Sequence, residues 1–259
     1  MATMEAAGIE LAYTRQGEGD PVMLLAGLGG QGRGWGAQIE RFGGDYDVVV
    51  PDHPGTGGSG TPEALTLEHH ARSMAELIRG LGMGPTHLVG SSTGGAIAQI
   101  MALDHPDTVR SIALVSSWAR ADDFFRHQFA VRKEVLRRLG TEAYAAASAL
   151  FLFSPTFFRH HYPVVRDWQE SASRGDATVM EQRIDMILRH DQLDRLRDVT
   201  APTLVLVGSQ DGCTPPYLSR ELAEAIPGAE QAVIEGGHLI YKEAESEFYG
   251  VVSEFIARH

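Results

Sequence analysis

Short apolar runs alternate with helical patterns along the chain. Val22–Ala26 lies between Pro21 and Gly27, Tyr46–Val50 stops at Pro51, and His87–Val89 stops at Gly90. Ile112–Val115, Thr203–Val207 and Ala232–Ile234 follow. Each run is apolar at consecutive positions, which predicts strands buried on both faces, as in a parallel sheet covered by helices. Leu67, Ala71, Met74, Leu77, Ile78 and Leu81 recur at spacings of three and four and predict a helix within Leu65–Leu81. Gly94–His105 is small and apolar, while Pro216–Ile226 and Glu243–Ile256 are amphipathic. This alternation predicts an α/β fold: a mostly parallel sheet, eight-stranded in type, with helices on both faces and right-handed crossovers.

One stretch interrupts the alternation. From Ala119 to Val199 the pattern is helical without a convincing strand, and the stretch holds half of the protein's aromatic side chains. A helical insertion leaving the C-terminal end of a strand lies where α/β proteins bind ligands. The expected division is a core of residues 1–118 and 200–259 and a helical cap, or lid, of residues 119–199. The alternative is a second helical layer with ordinary core aromatics.

Composition narrows the classes. At 259 residues and 43% hydrophobic content the chain can bury a large core, which excludes a disordered protein. Lys and Arg total 22 against 34 Asp and Glu, a net charge of −12 that argues against a nucleic-acid partner. Cys213 is the only cysteine, so no internal disulfide or Cys-rich zinc site is expected, and a reducing cytoplasm is the default compartment. The N-terminal residues lack the basic and apolar regions of an export signal, and no run approaches membrane-spanning length. A membrane partner is not expected; the chain is expected to be a monomer or homodimer.

The chemistry gathers at the ends of the apolar runs. Gly90-Ser-Ser-Thr-Gly94 is a G-x-S-x-G centred on Ser92, preceded by an apolar run and followed by a helix-like one. The motif needs small residues on either side because the strand-to-helix turn is tight and holds its serine in a strained conformation. Centring on Ser91 instead would put Val89 and Thr93 at the flanks. The bland alternative is a small-residue turn packing a helix on the sheet.

A serine nucleophile needs a base. Among eleven histidines, His238 sits in a glycine-rich loop between the last strand and the last helix. His53, in the turn-rich Pro51–Ser59 loop, is its main rival; His69, His70, His105, His127, His160, His161 and His190 fall on helices and are expected to be solvated. A carboxylate must fix the imidazole tautomer. Asp211, in Gly208-Ser-Gln-Asp-Gly212 after the Thr203–Val207 strand, is the candidate acid, with Asp122 or Asp123 as substitutes. The bland role for Asp211 is a turn residue, since Asp-Gly is a common turn pair. The chain order Ser92, Asp211, His238 is that of α/β-hydrolases.

Acyl transfer develops charge on a carbonyl oxygen, which two backbone N–H groups commonly stabilise. The candidates are Thr93, after the nucleophile, and Leu28, in the turn Ala26-Gly-Leu-Gly-Gly-Gln31. The same turn matches G-x-G-x-x-G through Gly27, Gly29 and Gly32, a weak phosphate-loop signal because Asp47 and Asp52 are only loosely placed for a ribose contact.

The chain resembles the α/β-hydrolase superfamily over essentially its whole length: the Gly27-Leu28 turn, the Asp52–Ser59 loop, the Ser92 elbow, the helical insertion, Asp211 and His238. It is similar to bacterial carboxylesterases, 3-oxoadipate enol-lactonases and aminoacrylate hydrolases. It departs from their common pattern at Ala26, where histidine often precedes the glycine, and at Ser91 and Thr93 around the nucleophile. The resemblance implies a cofactor-free serine hydrolase acting on a small acyl substrate, an ester or lactone, with amide, carbamate or C–C bond cleavage as alternatives. It also implies aspartate at the elbow of dehalogenases, which Ser92 does not match. A non-catalytic ligand-binding protein on the same fold is the rival class.

Gly27, Trp35, Trp118, Phe125, Phe151 and Phe153 are candidate pocket residues, with aromatic and aliphatic side chains from Trp118 to Trp168 forming the roof and Arg33 beside the turn. Arg120, Arg126, Arg132, Arg137, Arg138 and Arg159, with His127, are expected mostly on solvated faces; one or two turned inward would suit a substrate carboxylate. No metal is expected: His69-His70 and His160-His161 are adjacent, and neighbours on a helix diverge by about 100°.

Overall fold

The computed structural model covers residues 1–259. Its strands are β1 (Ala2–Ala6), β2 (Ile9–Gln16), β3 (Pro21–Leu25), β4 (Asp47–Pro51), β5 (Thr86–Ser91), β6 (Val109–Val115), β7 (Thr203–Gly208) and β8 (Glu230–Ile234). They form one sheet in the order β1-β2-β4-β3-β5-β6-β7-β8. From β4 to β8 every pairing is parallel; β1–β2 and β2–β4 are antiparallel. The six central and distal strands match the apolar runs of the sequence. β1 and β2 do not announce themselves there, because an antiparallel edge keeps polar, solvated residues along much of its length.

The core helices are α1 (Ala37–Gly43), α2 (Leu67–Gly80), α3 (Thr93–Asp104), and, after the insertion, α8 (Pro216–Ala225), α9 (Ile240–Glu243) and α10 (Glu245–Ile256). α2 starts where the Thr66 hydroxyl accepts from His69 N–H and buries its apolar stripe. α3 is buried along most of its length, between the sheet and α2.

Between β6 and β7 the chain builds only helices: α4 (Asp123–Leu152), broken at Gly140 where φ is +83°, then α5 (Pro155–His160), α6 (Tyr162–Ser173) and α7 (Ala177–Leu188). The two ends of this insertion meet. Ala121 N–H donates to His190 O at 3.2 Å, Gln192 N–H to Ala119 O at 2.9 Å, and Arg120 forms an antiparallel bridge with Asp191.

The insertion rests on the loops at the C-terminal edge of the sheet. Leu239 N–H donates to Leu152 O, Gln128 Nε2 donates to Cys213 O, and the Glu243 carboxylate takes Ser154 N–H at 2.8 Å and Ser154 O–H at 2.6 Å. Many of its aromatics are packed inward: Phe125 and Phe129 pack in series behind Trp118 with centroids 4.6 and 4.7 Å apart, and Phe153 lies between Phe157 and Trp168, while Phe124 and Tyr162 stay exposed. No helix is long and apolar enough to cross a membrane.

Candidate active site

The turn from β5 into α3 is built as the G-x-S-x-G pattern requires. Ser92 has φ +55° and ψ −114°, a conformation few side-chain-bearing residues adopt. Both flanking glycines are forced by close packing. A Cβ on Gly90 would overlap the Gly94 carbonyl, and one on Gly94 would overlap the Leu25 carbonyl on β3. Ser91 is the last residue of β5 and fully buried, its hydroxyl without a partner, so of the two serines only Ser92 occupies the strained turn. The Ser117 hydroxyl, from the segment after β6, donates to Ser92 O at 3.1 Å and ties the elbow to the neighbouring strand end.

Two strands along the same edge, Asp211 and His238 meet. His238 Nδ1 lies 2.8 Å from Asp211 Oδ2 and 3.0 Å from Oδ1, with both side chains buried. Asp211 Oδ1 also accepts the N–H groups of Cys213 (2.9 Å) and Thr214 (2.8 Å), and Oδ2 accepts the Thr214 hydroxyl at 2.9 Å. A carboxylate with this many partners is fixed in place, with both oxygens engaged. His238 is presented by Gly236 and Gly237; Gly236 has φ +149°, and its loop is anchored by Gly237 N–H on the Glu243 carboxylate. Ser92 Oγ makes no hydrogen bond to His238 in this conformation; such contacts are often long in a free enzyme and tighten when substrate binds.

Leu28 lies in the turn after β3, where Gly30 N–H donates to Gly27 O at 2.9 Å. Leu28 N–H donates to no protein atom, and Thr93 N–H is one of the unsatisfied donors of the first turn of α3. Gly27 lies beside Ser92: a Cβ there would stand 3.6 Å from Ser92 Cβ. The Gly27–Gly32 stretch does not open a helix that could cradle phosphate. Gly32 begins a single short turn, and its N–H is taken by Asp52 Oδ1 at 2.8 Å, while Asp47 pairs with Arg15.

Several expectations are corrected. His53, the rival base, is fully buried, and its Nδ1 is occupied by Arg183 at 3.2 Å. His70 and His190, expected on solvated helix faces, are buried; His70 Nδ1 bonds Thr66 O at 2.7 Å and His190 Nε2 bonds Gln99 Oε1 at 3.2 Å. Trp35 does not stand free at a pocket border. It packs against Tyr241 and Phe248 with centroids 4.6 and 6.1 Å away, because the turn before α1 tucks it under the last helices. Trp118, Phe125 and Phe153 are each packed into the core, while Phe151 remains partly exposed and its backbone lies against Gly212, next to Asp211. Asp122 is a helix cap that accepts Phe125 N–H and the Tyr217 hydroxyl, so it is committed elsewhere.

Of the named arginines only Arg132 is buried, its guanidinium over the Phe129 ring and bonded to Ser148, Tyr144 and Cys213 Sγ. Arg183, fully buried in α7, is a residue that sequence reasoning missed; an arginine within a helical pattern carries no signal of burial. Thr214 is another, since nothing in its local sequence links it to His238. No group of three or more His, Cys, Asp or Glu side chains is gathered as a metal site. A surface concavity of about 430 Å³ lies on the outer face of α4, lined by His127, Val131, Val135 and Leu139, and shares no residue with this edge of the sheet.

The fold and the elbow define an α/β hydrolase. The family model for the alpha/beta hydrolase fold matches residues 20–245, and the chain belongs to that family. Among curated relatives, a protein of Azorhizobium caulinodans provisionally named carbamate hydrolase RutD is 38% identical over 233 residues, covering 88% of this chain and 87% of the relative. Among solved structures, a thermophilic esterase from Thermogutta terrifontis is 29% identical and superposes with a TM-score of 0.89 over 100% of this chain and 99% of the other. The enol-lactonase from Burkholderia xenovorans LB400, at 24% identity and TM-score 0.91 over 99% of this chain and 100% of that one, shares the fold. The protein is therefore an enzyme of hydrolase type.

Proposed function

We propose that this hydrolase cleaves a small carboxylic ester or lactone through an acyl-enzyme, with Ser92 as nucleophile, His238 as base and Asp211 as its orienting acid. The observation that carries the proposal is the strained Ser92 at the C-terminal end of β5, on the same sheet edge as the His238–Asp211 pair. Ser92 Oγ attacks the substrate carbonyl while its proton passes to His238 Nε2. Asp211 accepts the Nδ1–H bond and stabilises the imidazolium without taking the proton. Leu28 and Thr93 N–H hold the oxyanion. The acyl C–O bond then breaks as His238 protonates the leaving oxygen. Water, deprotonated by the same imidazole, attacks the acyl-enzyme and releases the acid and Ser92.

In this proposal residues 119–199 form a cap over the site and residues 1–118 and 200–259 the catalytic core. The contacts of Leu152, Ser154 and Gln128 with the loops carrying Asp211 and His238 support it. A second reading is cleavage of a carbamate by the same residues, favoured by the provisional name of the Azorhizobium relative.

A fluorophosphonate probe tests the nucleophile: labelling of the wild-type chain that is lost in Ser92→Ala supports it. Absence of labelling, or labelling that survives the substitution, defeats it. A panel of p-nitrophenyl esters, lactones and N-aryl carbamates then ranks the substrate classes by kcat/KM.

A further inference from the structure

Arg183 extends from α7 of the insertion into the core loops. Its Nε donates to Leu28 O at 2.6 Å, Nη1 to Pro54 O at 3.3 Å, and Nη2 lies 3.2 Å from His53 Nδ1. The side chain is completely buried, and no carboxylate pairs with it. Burial lowers the guanidinium to about 10, so it remains charged at neutral pH. Burying an unpaired cation is costly, and an apolar residue of similar volume would usually hold two packed layers together better. The core accommodates this fork specifically: a Cβ on Gly30 would lie 2.6 Å from Arg183 Nη2 and 2.8 Å from Thr56 Oγ1.

The carbonyl that Arg183 grips belongs to Leu28, whose N–H donates to no protein atom and whose neighbour Gly27 lies beside Ser92. Leu28 is the second residue of the Gly27–Gly30 turn, closed by the Gly30 N–H bond to Gly27 O. The far end of that turn is also pinned, since Gly30 O accepts His53 N–H at 2.7 Å and the Thr56 hydroxyl at 3.1 Å. The two peptides that meet at Leu28 are thus each held: the one carrying Gly27 O and Leu28 N–H by Gly30, and the one carrying Leu28 O by Arg183.

We propose that Arg183 is a positioning residue: from the helical insertion it holds the Leu28 carbonyl and thereby the direction in which the Leu28 N–H is presented, so that transition-state stabilisation depends on the docking of the insertion. The proposal rests on Leu28 being an oxyanion donor in a serine hydrolase. A preorganised N–H donor in a water-excluded site acts strongly on a developing oxyanion. The substrate's ground-state carbonyl carries little charge, so the effect falls on kcat more than on KM.

The test compares wild-type, Arg183→Met and Arg183→Lys full-length chains. Active sites are counted by fluorophosphonate, kcat and KM are measured with p-nitrophenyl acetate, and Ki is measured for phenylboronic acid, whose tetrahedral serine adduct puts an oxygen in the oxyanion position. Ki and per-site kcat do not depend on how much of a preparation is folded, so a merely structural role would leave both unmoved. The expected result for Arg183→Met is a loss of about tenfold or more in per-site kcat and in phenylboronate affinity, smaller than the roughly hundredfold or greater cost of deleting an oxyanion donor outright, with KM changed by less than about threefold. Arg183→Lys retains charge but not the fork and is expected to lose about fivefold or more in affinity; it carries the test if Arg183→Met does not fold. Ki and kcat within about threefold of wild type in the folded variants overturn the positioning role. A wild-type chain that neither binds phenylboronate nor reacts with fluorophosphonate removes the hydrolase proposal, and this one with it.

Discussion

The Thr214 hydroxyl donates to Asp211 Oδ2 at 2.9 Å while standing 3.1 Å from His238 Nδ1. It therefore bridges the acid and the imidazole and sets the carboxylate plane from which His238 is oriented. Thr214→Val removes this donor and leaves the two backbone N–H bonds to Asp211 Oδ1. The expected loss is about tenfold in kcat, equivalent to roughly 1.4 kcal/mol, on the scale of one hydrogen bond to a charged group. Steady-state kinetics on an ester substrate checks it; a variant with wild-type kcat shows that the backbone donors suffice.

Ser92→Ala is expected to lower kcat by about 10³-fold or more with the fold retained, because the nucleophile works as part of a unit. Asp211→Asn is expected to cost a comparable factor by favouring the wrong imidazole tautomer. Circular dichroism establishes that the fold persists, and turnover decides the roles. A Ser92→Ala protein with about a tenth of wild-type turnover would sink the assignment.

Gly94→Ala is expected to destabilise the protein by about 3 kcal/mol or more, since the new methyl meets the backbone carbonyls of Leu25 and Ala26, which cannot rotate away. Gly84→Ala is the matched control. Nothing lies within 4 Å of a Cβ there, and the change should stay within about 0.5 kcal/mol. Urea unfolding midpoints of the two variants distinguish a packed elbow from a tolerant one.

Stability is expected to fall as pH drops from about 6.5 toward 4. Burial holds His190 down at about 4 and His70 at about 3, and it lowers His53 well below its ordinary value with help from the Arg183 charge. In this window the unfolded chain binds protons that the native one refuses, so native stability is full above the unfolded value and is lost on acidification. Each such histidine contributes a slope of about 1.4 kcal/mol per pH unit. Thermal midpoints at pH 7 and pH 5 measure the drop. His190→Gln should reduce it; an undiminished drop in that variant would remove His190 from the account.

The sequence was most legible where one local constraint decides the structure. Consecutive apolar residues in Val22–Ala26 and Thr203–Val207 admit little except doubly covered strands, and β3 and β7 lie there. Gly90 and Gly94 identify the elbow because a tight turn against β3 excludes any side chain. The Asp211–His238 pairing is legible because each residue lies in the loop after an apolar run and an imidazole base needs a carboxylate; the structure adds that the two strands, β7 and β8, are neighbours. β1 and β2 were hidden because an edge hairpin needs no apolar run.

Tertiary structure decided what pattern could not carry. A histidine or arginine on a helix has the same local sequence whether it faces water or the core, so the burial of His70, His190 and Arg132 depended on what packs against those helices. Trp35, just after the Gly27–Gln31 turn, is a candidate pocket residue by its place in the sequence, yet Tyr241 and Phe248, about two hundred residues later in the chain, claim its ring. Arg183 is 155 residues from Leu28, and no spacing rule joins them. The local sequence determined the elements and the ends at which chemistry is displayed, because strand burial and turn sterics act within a few residues. The fold determined which side chains are locked around those ends, because long-range packing and the hydrogen-bond needs of buried polar groups are met only when distant segments close over one another.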